Sequence, residues 1–267
     1  MHAYEQIAEQ LAAEINAGEW QTGSLLPTIP ELEKRFGVSR ITVRGGLREL
    51  EKQGLVYTGY ADGRRGTIVR STGLTDYALS DPLRYKGEPP KAGTFAQFAA
   101  RLGRTPSTRF EMRLQVVEPW ISKRLGVDRE DLVVMRIIHQ LLDNEPWSRE
   151  TSYYARDLAA VVGMDAPHTL DQGTMRTLAD AGYREIAHVD EITYEAASPQ
   201  DAYDLAVEVG APLFVQTRTA ATAERVTRVS RFMLMARNSR MVFEAGEEAG
   251  LEVIRAARAD DVESVLR

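Results

Sequence analysis

At 267 residues, with 43% hydrophobic and 27% charged side chains, the chain has the composition of an ordinary globular protein long enough for two domains, and nothing in it calls for disorder. It contains no cysteine, which excludes disulfides and thiolate metal sites and fits a reducing cytoplasm. It has neither a signal-like start nor a run of 18 apolar residues, so no secretory leader or membrane span is expected. A net charge of −6 argues against nucleic acid until its distribution is read: residues 1–33 hold six acids and no Lys or Arg, whereas residues 34–70 hold nine bases against three acids. A local basic island of this kind is what a phosphate backbone meets first.

In chain order, Ile7, Leu11 and Ile15 recur every four positions and predict a helix with one apolar stripe, ended at Gly18. The segment TIPEL starts a second helix, with Thr28 as cap and Glu31 placed to complete a capping box, and Gly37 supplies a left-handed stop. Ser39 caps a third helix whose buried side holds Val43, Leu47 and Leu50, while Arg40, Arg44 and Arg48 form an exposed stripe on the other side. Two helices joined by the tight GVS turn make a helix-turn-helix, whose second helix enters the major groove with its N-terminal residues at the base edges. LVYT, GYADGRRG and TIV then predict a β-hairpin with Arg64 and Arg65 near its tip, giving a winged helix-turn-helix. Ser39 and Thr42, at the positive end of the third helix, are placed to donate to a phosphate.

The stretch YEQIAEQLAAEINAGEW through LPTIPELEKRFGVSRITVRGGLRELEKQGLVYTGYADGRRGTIV resembles the N-terminal domain of the GntR family of bacterial transcription regulators. That resemblance implies contacts to double-stranded operator DNA from Arg40, Thr42 and Arg44 on the recognition helix and from Arg64, Arg65 and Gly66 on the wing; Arg35 and Ser39 complete the expected DNA-binding set. Two departures stand out. Pro30 occupies a position where relatives often carry a DNA-contacting arginine, and Gly45 and Gly46 replace helix formers at a cost of roughly 1 kcal/mol each. Close helix packing accounts for Gly46; Gly45 lacks a packing reason, so Gly45→Ala is expected to raise thermal stability.

From residue 71 to 93 apolar periodicity fades as Pro and Gly accumulate, which marks a connection; the expected division is a DNA-binding domain over 1–75, a linker over 76–93, a second domain over 94–245 and a helical tail over 246–267. The second domain predicts strands at TRFEMRLQVVE, DLVVMRIIHQLLD, PWSRETSYY, EIAHVDEITYEAAS, LFVQTRTAA and VTRVSRFMLM. Between them lie helices at PWISKRLG, ARDLAAVVG, TMRTLADAG and AYDLAVEVG, the last capped by Ser198 with Pro199 following. Adjacent strand pairs without βαβ alternation favour an α+β domain with an antiparallel sheet.

This region is similar to the UTRA effector domain of the HutC subgroup, on the segments VVMRIIHQLLDNEPWSRETSYYARDLA, GTMRTLADAG, SPQDAYDLAVEVGAPLF and VTRVSRF. The resemblance implies a chorismate lyase-like fold, a small-molecule pocket between sheet and helices, and a homodimer on a near-palindromic operator. Arg136, Gln140, Glu150, Thr174 and Arg228 are the expected effector-binding residues. Ile138 and Gln140 stand where sugar-phosphate-responding relatives carry two arginines, and Arg228 stands where an acid is common, so a small polar or anionic effector of another kind is expected. The ordinary alternative is that Arg136 and Arg228 pair with carboxylates such as Glu150 or Glu195. No cofactor, metal or catalytic group is expected: His139, His168 and His188 are scattered, and no nucleophile or phosphate-loop motif appears. An enzyme built on a chorismate lyase-like domain and an effector-independent DNA binder are the rival readings.

Overall fold

A computed structural model describes residues 2–61, 63–71, 75–78, 94–170, 172–237 and 239–259, which divide into two compact units. The first takes Met1–Ser80 with Ala197–Ala211 and Ala236–Arg267. Its helices α1 (Ala3–Asn16), α2 (Ile29–Phe36) and α3 (Arg40–Lys52) precede a hairpin of β1 (Val56–Ala61) and β2 (Arg64–Val69). Ile7, Leu11, Ile15, Leu32, Val43, Leu47 and Leu50 meet in one buried core with Leu26, Val56 and Val69, so the three apolar stripes converge as their spacing predicts.

The caps are where the sequence puts them. The Thr28 amide donates to the Glu31 carboxylate at 2.7 Å, Gly37 ends α2 at φ 66°, and Ser39 Oγ accepts from the Thr42 amide at 3.4 Å. Both helix glycines face α1. A Cβ at Gly46 would lie 2.9 Å from Ile7 Cγ2 and 3.1 Å from the Tyr4 carbonyl oxygen, and one at Gly45 would lie 3.1 Å from Tyr4 Cβ. Close approach of α1 to α3 therefore accounts for both positions, and the expected stability gain from Gly45→Ala is corrected to near zero because the added methyl meets Tyr4.

Residues 75–78, within or beside the stretch read as a connection, form β3 (Thr75–Ala78). It pairs in parallel with β10 (Ser239–Val242), some 160 residues away, and periodicity in one short segment carries no sign of such a partner. The Asp76 carboxylate accepts from Arg240 at 2.7 and 3.0 Å and from Arg258, on α9 (Glu248–Ala259), at 2.9 Å. The rest of the expected linker, residues 79–93, lies outside the described residues. Also in this unit, α8 (Pro199–Leu205) starts with a reciprocal Ser198–Asp201 box: the Asp201 amide donates to Ser198 Oγ at 3.2 Å and the Ser198 amide to Asp201 Oδ2 at 3.0 Å.

The second unit, Asp81–Ala196 with Pro212–Met235, is a six-stranded antiparallel sheet with helices on both faces. Its elements are α4 (Thr94–Arg101), β4 (Pro106–Gln115), α5 (Pro119–Leu125), β5 (Val133–Leu142), β6 (Glu145–Tyr154), α6 (Arg156–Val161), α7 (Thr174–Asp180), β7 (Ala187–Ala196), β8 (Pro212–Ala221) and β9 (Val226–Met235). The strand order is β4-β5-β6-β9-β8-β7. Asp143 and Asn144, at φ 51° and 65°, make the two-residue turn between β5 and β6.

One sheet face carries α5, with Ile121 and Leu125 against Val133, Tyr153 and Val229. The other carries α6 and α7, with Leu158, Met164 and Leu178 against Val134 and Tyr154. Among the described residues no helix is long and apolar enough to cross a membrane.

Candidate functional site

The first candidate surface is the recognition helix and wing. Arg40, Arg44 and Arg48 are all exposed on the side of α3 away from Val43, Leu47 and Leu50. Arg40 reaches Glu33 only at 3.9 Å, and among the described residues Arg44 and Arg48 have no acidic partner. The Ser39 and Thr42 hydroxyls lie 3.0 Å apart at the helix start, with Ser39 exposed and Thr42 half-buried.

On the wing, Ala61 pairs with Arg64 and Tyr60 with Arg65, so both arginines stand at the first residues of β2. Both are exposed, and neither has an ion pair among the described residues. Gly66 lies opposite Gly59, and a Cβ on it would come 2.6 Å from Leu25 Cδ2. Arg35 sits differently from the rest of the set: it bonds the Glu14 carboxylate and lies 5.1 Å over the Phe36 ring. Sequence reading passed over two exposed apolar groups here, Ile41 at 83% exposure and Tyr60 at 72%.

The second candidate surface follows from strand register. Residues directly opposite in an antiparallel ladder share a face. One row across the sheet therefore runs Met112, Arg136, Ser152, Ser230, Arg218, Asp190, and the next runs Phe110, Ile138, Glu150, Phe232, Gln216, Ile192. Gln140 and Ser148 extend it on one side and Tyr154 on the other. The expected effector residues Arg136, Gln140, Glu150 and Arg228 thus share the face covered by α6 and α7, and Thr174 opens α7 beside Tyr154.

Their side chains are largely engaged with one another. Arg136, 4% exposed, donates to the carbonyl oxygens of Met164 (2.9 Å), Ala166 (3.2 Å) and His168, and lies 4.4 Å over the Phe110 ring. Its acceptors are backbone carbonyls of the loop after α6, so the carboxylate pairing considered for it is replaced by loop anchoring; burial lowers its pKa. Arg228 forms a two-point pair with Glu185 at 2.8 and 3.1 Å and reaches Ser230 Oγ at 3.1 Å, with Glu150 at 4.0 Å.

Burial alone would raise the Glu185 carboxyl, but the charge and hydrogen bonds of Arg228 hold it below the ordinary glutamate range. Arg228 in turn stays protonated well above the usual arginine range, because Glu185 outweighs its burial. Arg218 grips Asp190 at 2.7 and 2.6 Å, and Glu195 pairs with Arg231 instead of Arg228.

What remains is a small set of less fully engaged groups. Glu150 accepts from Ser152 at 3.2 Å, with its side chain 27% exposed. Gln140 accepts from Ser148 at 2.7 Å and keeps its amide N–H groups. The Tyr154 hydroxyl is fully buried next to Thr174 and Ser152 without a hydrogen bond of good geometry, and burial raises its pKa. Glu185, Asp190, Arg218 and the Ser152–Ser230 pair (2.8 Å) went unnoticed in the sequence. Polar residues at alternate positions of VTRVSRF were the available signal for Arg228 and Ser230; the others needed the register.

The family description for the UTRA domain matches residues 101–237, just over half of the chain, and that for bacterial regulatory proteins of the gntR family matches residues 3–69. The chain belongs to the GntR family, in the branch that carries a UTRA domain. This GntR–UTRA protein is similar to the HTH-type transcriptional repressor NagR of Bacillus subtilis, 46% identical over 94 residues that cover 33% of this chain and 37% of that one. The alignment thus spans little more than a third of that repressor. It is also similar to the HTH-type transcriptional regulator Rv0792c of Mycobacterium tuberculosis, 28% identical over 220 residues covering 81% of this chain and 76% of that one. Among solved structures, PhnF from Mycobacterium smegmatis shares the fold, with 17% identity and a TM-score of 0.54 over 91% of this chain and 100% of that one.

Proposed function

We propose that the chain is a transcription regulator that binds a near-palindromic operator as a homodimer through α3 and the wing, acts as a repressor, and responds to a small effector held on the polar sheet face of its UTRA domain. The observation that carries this reading is the contrast in partners: the arginines of α3 and the wing face solvent with no ion pair closer than 3.9 Å among the described residues, while an acidic partner holds the other arginines named above or a backbone does. An unpaired cationic stripe on a groove-sized helix suits a phosphate backbone and base edges. Footprinting of the purified protein on its own upstream DNA at low salt tests it, with Arg44→Ala as the control that shifts protection to higher protein concentration.

The charge pattern of the UTRA face narrows the effector. Its three buried arginines are already satisfied, and the charge left partly open is the Glu150 carboxylate, 27% exposed and only loosely paired with Arg228, so the ligand that fits is one that donates hydrogen bonds and carries no phosphate or carboxylate. Thermal melting with matched pairs, a free sugar or amino sugar against its phosphate ester, reads this directly because a ligand bound to the native state raises the melting temperature by mass action. Stabilisation by the phosphorylated members alone would contradict it.

A further inference from the structure

Ile41 is the most exposed of the large apolar side chains among the described residues, at 83%, and it occupies the second position of α3 between Arg40 and Thr42. The buried side of α3 is already complete with Val43, Leu47 and Leu50, and among the described residues the core of this unit does not include Ile41. Its setting is nonetheless rigid. The first turn of α3 is closed by Ser39 and Thr42, and a β-branched side chain in a helix has one strongly preferred rotamer. It is therefore held out to solvent, one helical turn from Arg44 on the same side.

Resting on the DNA-binding reading above, we infer that Ile41 is a base-reading residue that recognises the C5-methyl group of a thymine in the major groove. The chemistry leaves few alternatives. The first residues of a recognition helix meet base edges, and the thymine methyl is the apolar feature those edges present there. Arg40 and Arg44 on either side can satisfy a guanine edge or a phosphate, but neither can discriminate thymine from cytosine through a methyl. Ile41 and Arg44, three residues apart, reach neighbouring positions, so the thymine lies at or next to the base pair that Arg44 reads. The helix thus carries a mixed code, one cationic reader beside one apolar reader.

The test uses the full chain and an operator obtained by selection from random-sequence duplex DNA. Each thymine of that operator is replaced in turn by deoxyuridine, which removes the C5-methyl and leaves the pairing edge unchanged. The expected result is one thymine per half-site at which the loss weakens wild-type binding about fourfold, the worth of one buried methyl-sized group. Ile41→Ala is expected to melt at the wild-type temperature, to lose a similar factor on the unmodified operator, and to be indifferent to deoxyuridine at that site. The inference is overturned if no thymine shows methyl dependence, or if the dependence survives in Ile41→Ala. A selection that enriches no sequence overturns the DNA-binding reading and this inference together, which separates the two failures.

Discussion

Arginine does opposite work in the two parts of this molecule. On α3 it is exposed and either unpaired or loosely paired, as at Arg44, Arg48 and Arg40, and its removal costs the fold little. On the UTRA sheet it is buried and fully engaged, as at Arg136, Arg218 and Arg228, and its removal strands a carboxylate or a set of carbonyls. Charge therefore marks a ligand surface only where the protein itself has not neutralised it. An arginine on a strand facing a pocket is no evidence for an anionic ligand until its acceptors are known.

The largest expected effect breaks the comparison at its buried end. Arg228→Ala leaves Glu185 charged and enclosed, and is expected to destabilise the protein by about 3–5 kcal/mol in urea unfolding, whereas Arg228→Met together with Glu185→Leu recovers most of that loss. The same pair sets an acid dependence. Glu185 has a folded-state pKa below its unfolded value of 4.5, so its contribution is fully present above that value and is lost as pH falls through the folded one. Wild-type unfolding measured stepwise below pH 5 should show this loss, and the double variant should lack that part of it.

The exposed end gives the converse. Arg44→Ala is expected to leave the melting temperature unchanged while costing about 1–3 kcal/mol of operator affinity and relaxing preference at one base pair. Equal losses on operator and random DNA would reduce it to a phosphate contact. Arg48→Ala, further along the helix, should weaken all sequences alike and lower the salt slope of binding by about one. Competition and salt titrations in a fluorescence anisotropy assay separate these cases.

Smaller effects test which side of α3 is structural. Gly46→Ala places a methyl 2.9 Å from Ile7 and is expected to lose about 1–2 kcal/mol, overpacking outweighing the helix-propensity gain. At Gly45 the obstacle is Tyr4 Cβ at 3.1 Å, and the two contributions should nearly cancel, leaving the melting temperature within a degree or two, about the shift that ~0.5 kcal/mol produces. A clear gain at Gly45 would mean that α1 yields more readily than α3.

Legibility in the sequence differed between the units for a physical reason. In the first, each element as far as the wing announces itself locally: Thr28 with Glu31, Gly37 and Ser39 are caps whose partners lie three or four residues away, and the apolar stripes of α1 and α3 point to one core. In the second, the strands were readable but their neighbours were not. The row joining Arg136, Ser152, Ser230, Arg218 and Asp190 depends on four interstrand registers, and Arg136 finds its acceptors near 28 to 32 residues downstream in a loop with no periodic pattern. The β3–β10 pairing, with its Asp76 ion pairs, is hidden for the same reason.

By itself the sequence determined the winged helix-turn-helix, the caps, the basic stripe and the alternation of the sheet, because each is set by dihedral preference, side-chain period or short-range hydrogen bonding. Tertiary structure alone decided which charges are spent: whether an arginine is a ligand contact or a strut depends on what lies opposite it in space, and for Arg35, Arg136 and Arg228 that partner comes from a distant part of the chain.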